Sequence, residues 1–156
     1  MTENPSRTTV REALIDSSDL ADHVQDGLGA VKDRDKRFIE VSIRAKFTDS
    51  LDTDEAFRAG RDQEPRWDYL LGHENRQLIA VEPHSAKTDE INAVINKKRA
   101  VLLQLQGHLK ENKSISRWLW VASGRVAFPK DSQFQRRLSQ HGITFVGSCV
   151  MEKHLR

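Results

Sequence analysis

The chain has 156 residues, 37% hydrophobic and 31% charged, with 25 basic and 23 acidic side chains for a formal charge of +2. That length suits one domain with a real core, and that composition argues against wholesale disorder. The charge is too balanced for a dedicated non-specific DNA coat, and Cys149 stands alone, so no intrachain disulfide can form. The apolar runs are too short to span a bilayer, and the first residues, MTENPSRTTVREAL, lack the apolar core of a signal peptide. The expectation is a cytoplasmic protein with no membrane association.

Residues 1–16 read as a flexible N-terminal segment, polar at first and containing Pro5, ahead of a single domain over residues 17–156. From Ser17 to Val31 the apolar residues Leu20, Val24, Leu28 and Val31 form one helical stripe, with Ser17 or Ser18 as cap. Asp19, Asp22 and Asp26 lie off that stripe and read as a solvated face. Asp33-Arg34-Asp35-Lys36 is a turn. Next, Ile39, Val41, Ile43, Ala45 and Phe47 alternate with polar residues, which predicts a half-buried strand. Its exposed face is either a sheet edge or a homodimer contact. Residues 48–65 form a polar, acidic connection, with a helical turn expected at Asp54 to Arg58.

Trp67 to Leu71 and Gln77 to Val81 predict a hairpin around Gly72 to Asn75. Thr88 then caps a long helix whose stripe is Ile91, Val94, Ile95, Leu102, Leu105 and Leu109, with Val101 beside it. Lys97, Lys98 and Arg99 are expected on its opposite, solvated side. Trp118 to Ala122 has no polar alternation, as in a central strand buried on both faces, and its tryptophans read as core. A second helix is expected from Asp131 to His141 with Phe134 and Leu138 inward, ended by Gly142, then a last buried strand from Ile143 to Val150 carrying an inert Cys149. His73, His108 and His141 read as turn or helix-end residues. The predicted fold is α/β (α+β), a mixed central sheet flanked by helices in the order α-β-β-β-α-β-α-β.

Chemistry concentrates in the hairpin. With the turn centred on Glu74, Asp68 lies opposite Ala80, and Asp68 and Glu82 project from one face as diagonal neighbours. Two carboxylates so placed repel unless a cation sits between them. Mg²⁺ favours a few carboxylate oxygens with waters and phosphate oxygens. His84 and Lys87 follow at once.

An acidic residue in the second strand, Glu82 ending the third, a basic residue two positions on and a long helix next resemble the PD-(D/E)xK nuclease superfamily. The resemblance covers the middle two thirds of the chain and implies a restriction endonuclease-like fold. It implies that Asp68 and Glu82 bind Mg²⁺ or Mn²⁺, that Pro83 offers its carbonyl to the metal, and that His84 stands where the family has lysine, with Lys87 as the alternative. No Pro-Asp pair is present, since Trp67 precedes Asp68. On this reading Asp68, Glu82, His84 and Lys87 are catalytic and the substrate is nucleic acid. Arg44, Lys46, Lys97, Lys98 and Arg99 are then candidates for phosphate contacts. Two other readings stay open: a non-catalytic module of the same fold that binds a protein partner as a regulator or immunity-type protein, and a structural protein whose carboxylates are incidental.

Overall fold

The computed structural model describes residues 9–126 and 133–156. Its centre is a six-stranded sheet in sequential order. The strands are β1 (Gln25–Asp26), β2 (Phe47–Asp52), β3 (Tyr69–His73), β4 (Leu78–His84), β5 (Ile115–Ala122) and β6 (Ile143–Phe145). The first four are antiparallel neighbours, whereas β4, β5 and β6 run parallel. Parallel neighbours need a crossover, supplied here by helices α3 (Ile91–Gln104) and α4 (Gln133–Gln140). Two short helices, α1 (Thr9–Ala13) and α2 (Thr53–Ala56), precede them.

The mixed sheet and the α+β class expected from the sequence are present. Strand parity divides the core into two layers. Leu70, Leu78, Ala80, Trp118 and Trp120 face one way and pack against Val10 of α1, Ile91, Val94, Ile95 and Val101 of α3, and Leu138 of α4. Tyr69, Leu71, Ile79, Val81, Leu119 and Val121 face the other way, under Phe38, Ile39, Ile43, Val150 and Leu155. The α-helices thus share one face, and short 3-10 helices cover the second.

Three expectations are corrected. The strand predicted over Ile39 to Phe47 is instead a 3-10 helix, Val41–Lys46, following another at Asp33–Phe38. Ile39, Ile43 and Phe47 are buried while Val41 is 72% exposed. The apolar residues that pack are four apart, a helical spacing that period-two alternation also contains. The exposed strand face offered as a dimer contact disappears with the strand. The helix predicted from Ser17 to Val31 shortens to a 3-10 turn, Asp19–His23, whose first N–H groups Ser18 does cap by accepting from Leu20 N at 3.2 Å. Gly27, at φ +55°, turns the chain into and out of β1. Finally, residues from Thr9 onward pack firmly, contrary to a flexible segment reaching residue 16; Pro5 and the rest of residues 1–8 lie outside the described residues, as does Asp131 at the expected start of the second helix.

A buried carboxylate holds α1 down. Asp49 of β2 accepts from Val10 N at 2.8 Å and Arg11 N at 3.1 Å, satisfying two N–H groups at the start of that helix. Burial outweighs these bonds and raises the Asp49 pKa. Opposite it, Gly72 is a strand residue and not part of the turn, because a Cβ there would lie 2.3 Å from Asp49 Oδ1 and 2.7 Å from Thr9 Cβ. Gly72→Ala is expected to cost about 1–3 kcal/mol, as overpacking does. Chemical denaturation of the variant beside wild type measures it, and an unchanged midpoint would show that the α1 clamp yields freely.

Candidate functional site

The hairpin that carries the site is a tight one. His73 N donates to Gln77 O at 2.9 Å, Asn75 Oδ1 accepts from Gln77 N at 3.0 Å, and Arg76 takes a left-handed φ of +72°. The turn is therefore centred on Asn75, one residue later than expected. Leu70 pairs with Ala80 and Tyr69 with Val81, so Asp68 stands across from Glu82 instead of Ala80. A two-residue change of register preserves parity, and Asp68 and Glu82 share a face as predicted. The β3 ladder ends at the Tyr69–Val81 pair, so Pro83, with no N–H to give, lies where β4 is paired with β5 alone.

Glu82 is wholly buried, under the helical layer. Its Oε1 accepts from Asp68 N at 2.9 Å, and its Oε2 accepts from Lys97 Nζ at 2.5 Å. His84 Nδ1 lies 3.3 Å from the same Oε2, and His84 Nε2 is 3.0 Å from Glu90 Oε2. The imidazole is thus held at both nitrogens by carboxylates. The Glu82 bond raises the His84 pKa first, burial opposes it, and the Glu90 bond adds to the rise. Trp120 Nε1 donates to His84 O at 3.1 Å and fixes the strand end.

Asp68 differs from Glu82. It is half-buried, and its carboxyl group accepts no hydrogen bond from any described residue. Burial, then the charge of Glu82, pushes its pKa up to about 7, with Lys97 opposing. Burial pulls the Lys97 ammonium down, but the charges of Glu82 and Asp68 outweigh it and the net direction is up. One ammonium therefore serves two carboxyl groups, and Asp68 is left only partly neutralised near pH 7.

Lys97 was expected on the solvated side of α3 as a phosphate contact, and the structure turns it inward. Lys98 also points inward, with Nζ 4.9 Å above the Trp118 ring and a bond to His141 O, while burial lowers its pKa. Only Arg99 is exposed. The buried positions of α3 include Val94, Ile95 and Val101, and residues 97 and 98 fall in the gap between them on the same stripe. A basic residue at a position that helical period assigns to the core was the legible signal. Leu102, in turn, is 46% exposed although the sequence placed it in the stripe.

The remaining candidates are not gathered here. Lys87 is exposed and caps the 3-10 turn Thr88–Glu90 through its backbone. Arg44 Nε donates to Ile39 O at 2.9 Å, and Lys46 Nζ pairs with Glu152 at 2.6 Å, both from the 3-10 helix on the opposite face. Cys149 is half-buried, with burial raising its pKa. Among the described residues no helix is long and apolar enough to cross a membrane. Nor do the described residues hold three or more His, Cys, Asp or Glu side chains grouped for a metal ion. No protein-family model matches the chain, and it finds no match among curated proteins or solved structures.

The arrangement gives two measurable consequences. Lys97→Met strands a buried carboxylate and is expected to cost about 3–5 kcal/mol in a denaturant titration; a loss below 1 kcal/mol, about that of an exposed pair, would contradict the burial argument. Asp68 holds its proton more tightly folded than unfolded, its pKa rising from 3.8 to about 7. Its contribution to stability is therefore greatest at low pH and declines as pH climbs between those two values. Melting curves at about pH 5 and about pH 8 should show wild type losing ground relative to Asp68→Asn on going up, and parallel behaviour would refute the shift.

Proposed function

We propose that this chain is a metal-dependent phosphodiesterase acting on nucleic acid, with a restriction endonuclease-like fold. The observation that carries the reading is the facing pair Asp68 and Glu82 with the Lys97 ammonium bonded to it. The run β2, β3, β4, α3, β5, interrupted by the short α2 after β2, also supports it, because it follows the β-β-β-α-β part of the core order that the family resemblance implies. A third support is position: the pair stands at the carboxyl end of β4, where the parallel strands of open sheets commonly receive ligands.

The donor set suits Mg²⁺ or Mn²⁺ held by few protein oxygens. Asp68 is a half-buried carboxyl group with no hydrogen-bonded side-chain partner among the described residues, and burial first, then the charge of Glu82, raises its pKa to about 7. Asp68 and Glu82 would hold the ion, with the Pro83 carbonyl as the third donor that the resemblance suggests. The metal would supply charge neutralisation at the phosphoryl group and a more acidic bound water. Lys97 takes the cationic role expected two residues after Glu82, arriving from α3 instead of β4. His84 fits a positioning role and not that of a base, because both ring nitrogens face carboxylates, Glu82 and Glu90. Lys87 has no part in this reading.

A second reading has an observation of its own. The Glu82 oxygens are already satisfied by Asp68 N, Lys97 and His84, as in a polar cluster built to be inert. This favours a non-catalytic module that works through a protein partner.

One experiment separates them. Titration calorimetry with Mg²⁺ and Mn²⁺, wild type beside Asp68→Asn, is paired with cleavage assays on single- and double-stranded DNA and RNA. The nuclease reading expects metal binding and cleavage in wild type, both abolished in Asp68→Asn. It also expects about a 10²–10⁴-fold lower rate in Lys97→Arg, which keeps the charge but not the reach. Wild type that neither binds metal nor cleaves any substrate would favour the module.

A further inference from the structure

We propose that a cleft at the same end of the sheet as this site, on the face covered by the 3-10 helices, is a phosphate subsite for the backbone of a polynucleotide, a proposal that rests on the nuclease reading. The cleft, of about 240 Å³, is lined by Arg37, Phe38, Ala122, Ser123, Gly124 and Ser148. It opens where β5 ends and the chain passes β6, at the same end of the sheet as Glu82. Ser123 N donates to His84 O at 3.0 Å, so the wall of the cleft is bonded directly to the strand end that carries the candidate carboxylates. Ala122 N donates in turn to Gly147 O at 2.7 Å, which fixes the Ser148 side relative to the Ser123 side.

The chemistry of the lining selects an anion. Arg37 is exposed and its guanidinium lies 4.6 Å from the centroid of the neighbouring Phe38 ring. Among the described residues it makes no ion pair, whereas the nearby Arg34 and Lys36 both face carboxylates, Asp35 and Asp33. With its guanidinium over the Phe38 ring, Arg37 has N–H donors left for an anionic acceptor such as a phosphate oxygen. Ser123 and Ser148 bring hydroxyl donors, and among the described residues no carboxylate lines the cleft. The cleft is walled by exposed Arg37, Ser123, Gly124 and Ser148 and by buried Phe38 and Ala122. It fits a group presented from outside on a long ligand, and a polynucleotide held at Asp68 and Glu82 presents further phosphates along the same sheet end.

Binding without hydrolysis tests this apart from catalysis. Fluorescein-labelled single-stranded and duplex oligonucleotides of about 20 nucleotides are titrated in the absence of divalent metal, across a salt series. Arg37→Gln is expected to weaken binding about three- to tenfold and to reduce the salt slope by about 1, with Arg37→Lys retaining the slope. Arg37 is exposed, so an unchanged melting temperature serves as the control for folding. Equal affinity and slope in Arg37→Gln would overturn the subsite, as would wild type that binds no oligonucleotide. Arg37-dependent binding of inorganic phosphate together with oligonucleotide binding that does not depend on Arg37 would overturn the polynucleotide as its ligand. If Arg37-dependent binding holds while wild type cleaves nothing in Mg²⁺, the subsite stands and the nuclease reading falls.

Discussion

One carboxylate decides how the two halves of this protein must meet. Glu82 sits in the middle layer between sheet and helices with no solvent contact. A buried charge left alone would be prohibitive, and a pair must be well bonded to approach neutrality. Glu82 meets that demand from three directions: the backbone at the entry to β3, an imidazole on its own strand and an ammonium from α3. The hairpin register, the end of β4 and the docking depth of α3 are all fixed by the same few atoms. Lys97 can reach only if Ile91, Val94 and Ile95 are seated on Trp118 and Trp120, so hydrophobic packing and charge compensation reinforce one another.

The second layer is organised differently. Opposite the α-helices the sheet is covered by 3-10 turns and by the C-terminal residues, joined by the Ile39–Val150 bridge and by Tyr69 OH, which bonds Asp35. Short 3-10 segments bring few apolar residues per turn, and the cover is correspondingly thin. This explains why Arg37 ends at the rim of the sheet. The same turn that buries Phe38 leaves its neighbour exposed at the carboxyl ends of β5 and β6.

How much of this could be read from the residues follows from which signals are local. The hairpin, α3, the central strand at Trp118 to Ala122 and the short helix near Leu138 were legible, because each carries its own periodicity and turn residues. The shared face of Asp68 and Glu82 was legible because parity survives a two-residue error in register. What failed needed partners distant in sequence. Gly72 resembles a turn residue, and only its crowding against Asp49 and Thr9 shows it to be a strand position. Phe47–Asp52 hid as a strand because Asp49 and Ser50 are buried polar residues, bonded to α1 and to Ala30 N. Alternation over residues 39–47 hid a four-residue repeat. Lys97 reads in the sequence as one of a solvated run that could contact phosphate, although its place on the helical stripe marks it as inward.

Charge accounting at the hairpin leads to the last step. Glu82 and Asp68 face each other with one lysine between them, and His84 is shared with Glu90. The one lysine is bonded to Glu82, and burial, with the charge of Glu82 adding to it, raises the Asp68 pKa to about 7. A purely structural cluster would avoid that shift by replacing Asp68 with a neutral residue, which loses no bond, since only its backbone N–H and carbonyl are used. Keeping an acid there maintains a half-buried position at a strand end that gains from any added cation. Stability and charge pull against each other at that one side chain above the range where Asp68 is protonated. That conflict separates Asp68 from Glu82, whose removal would disturb both.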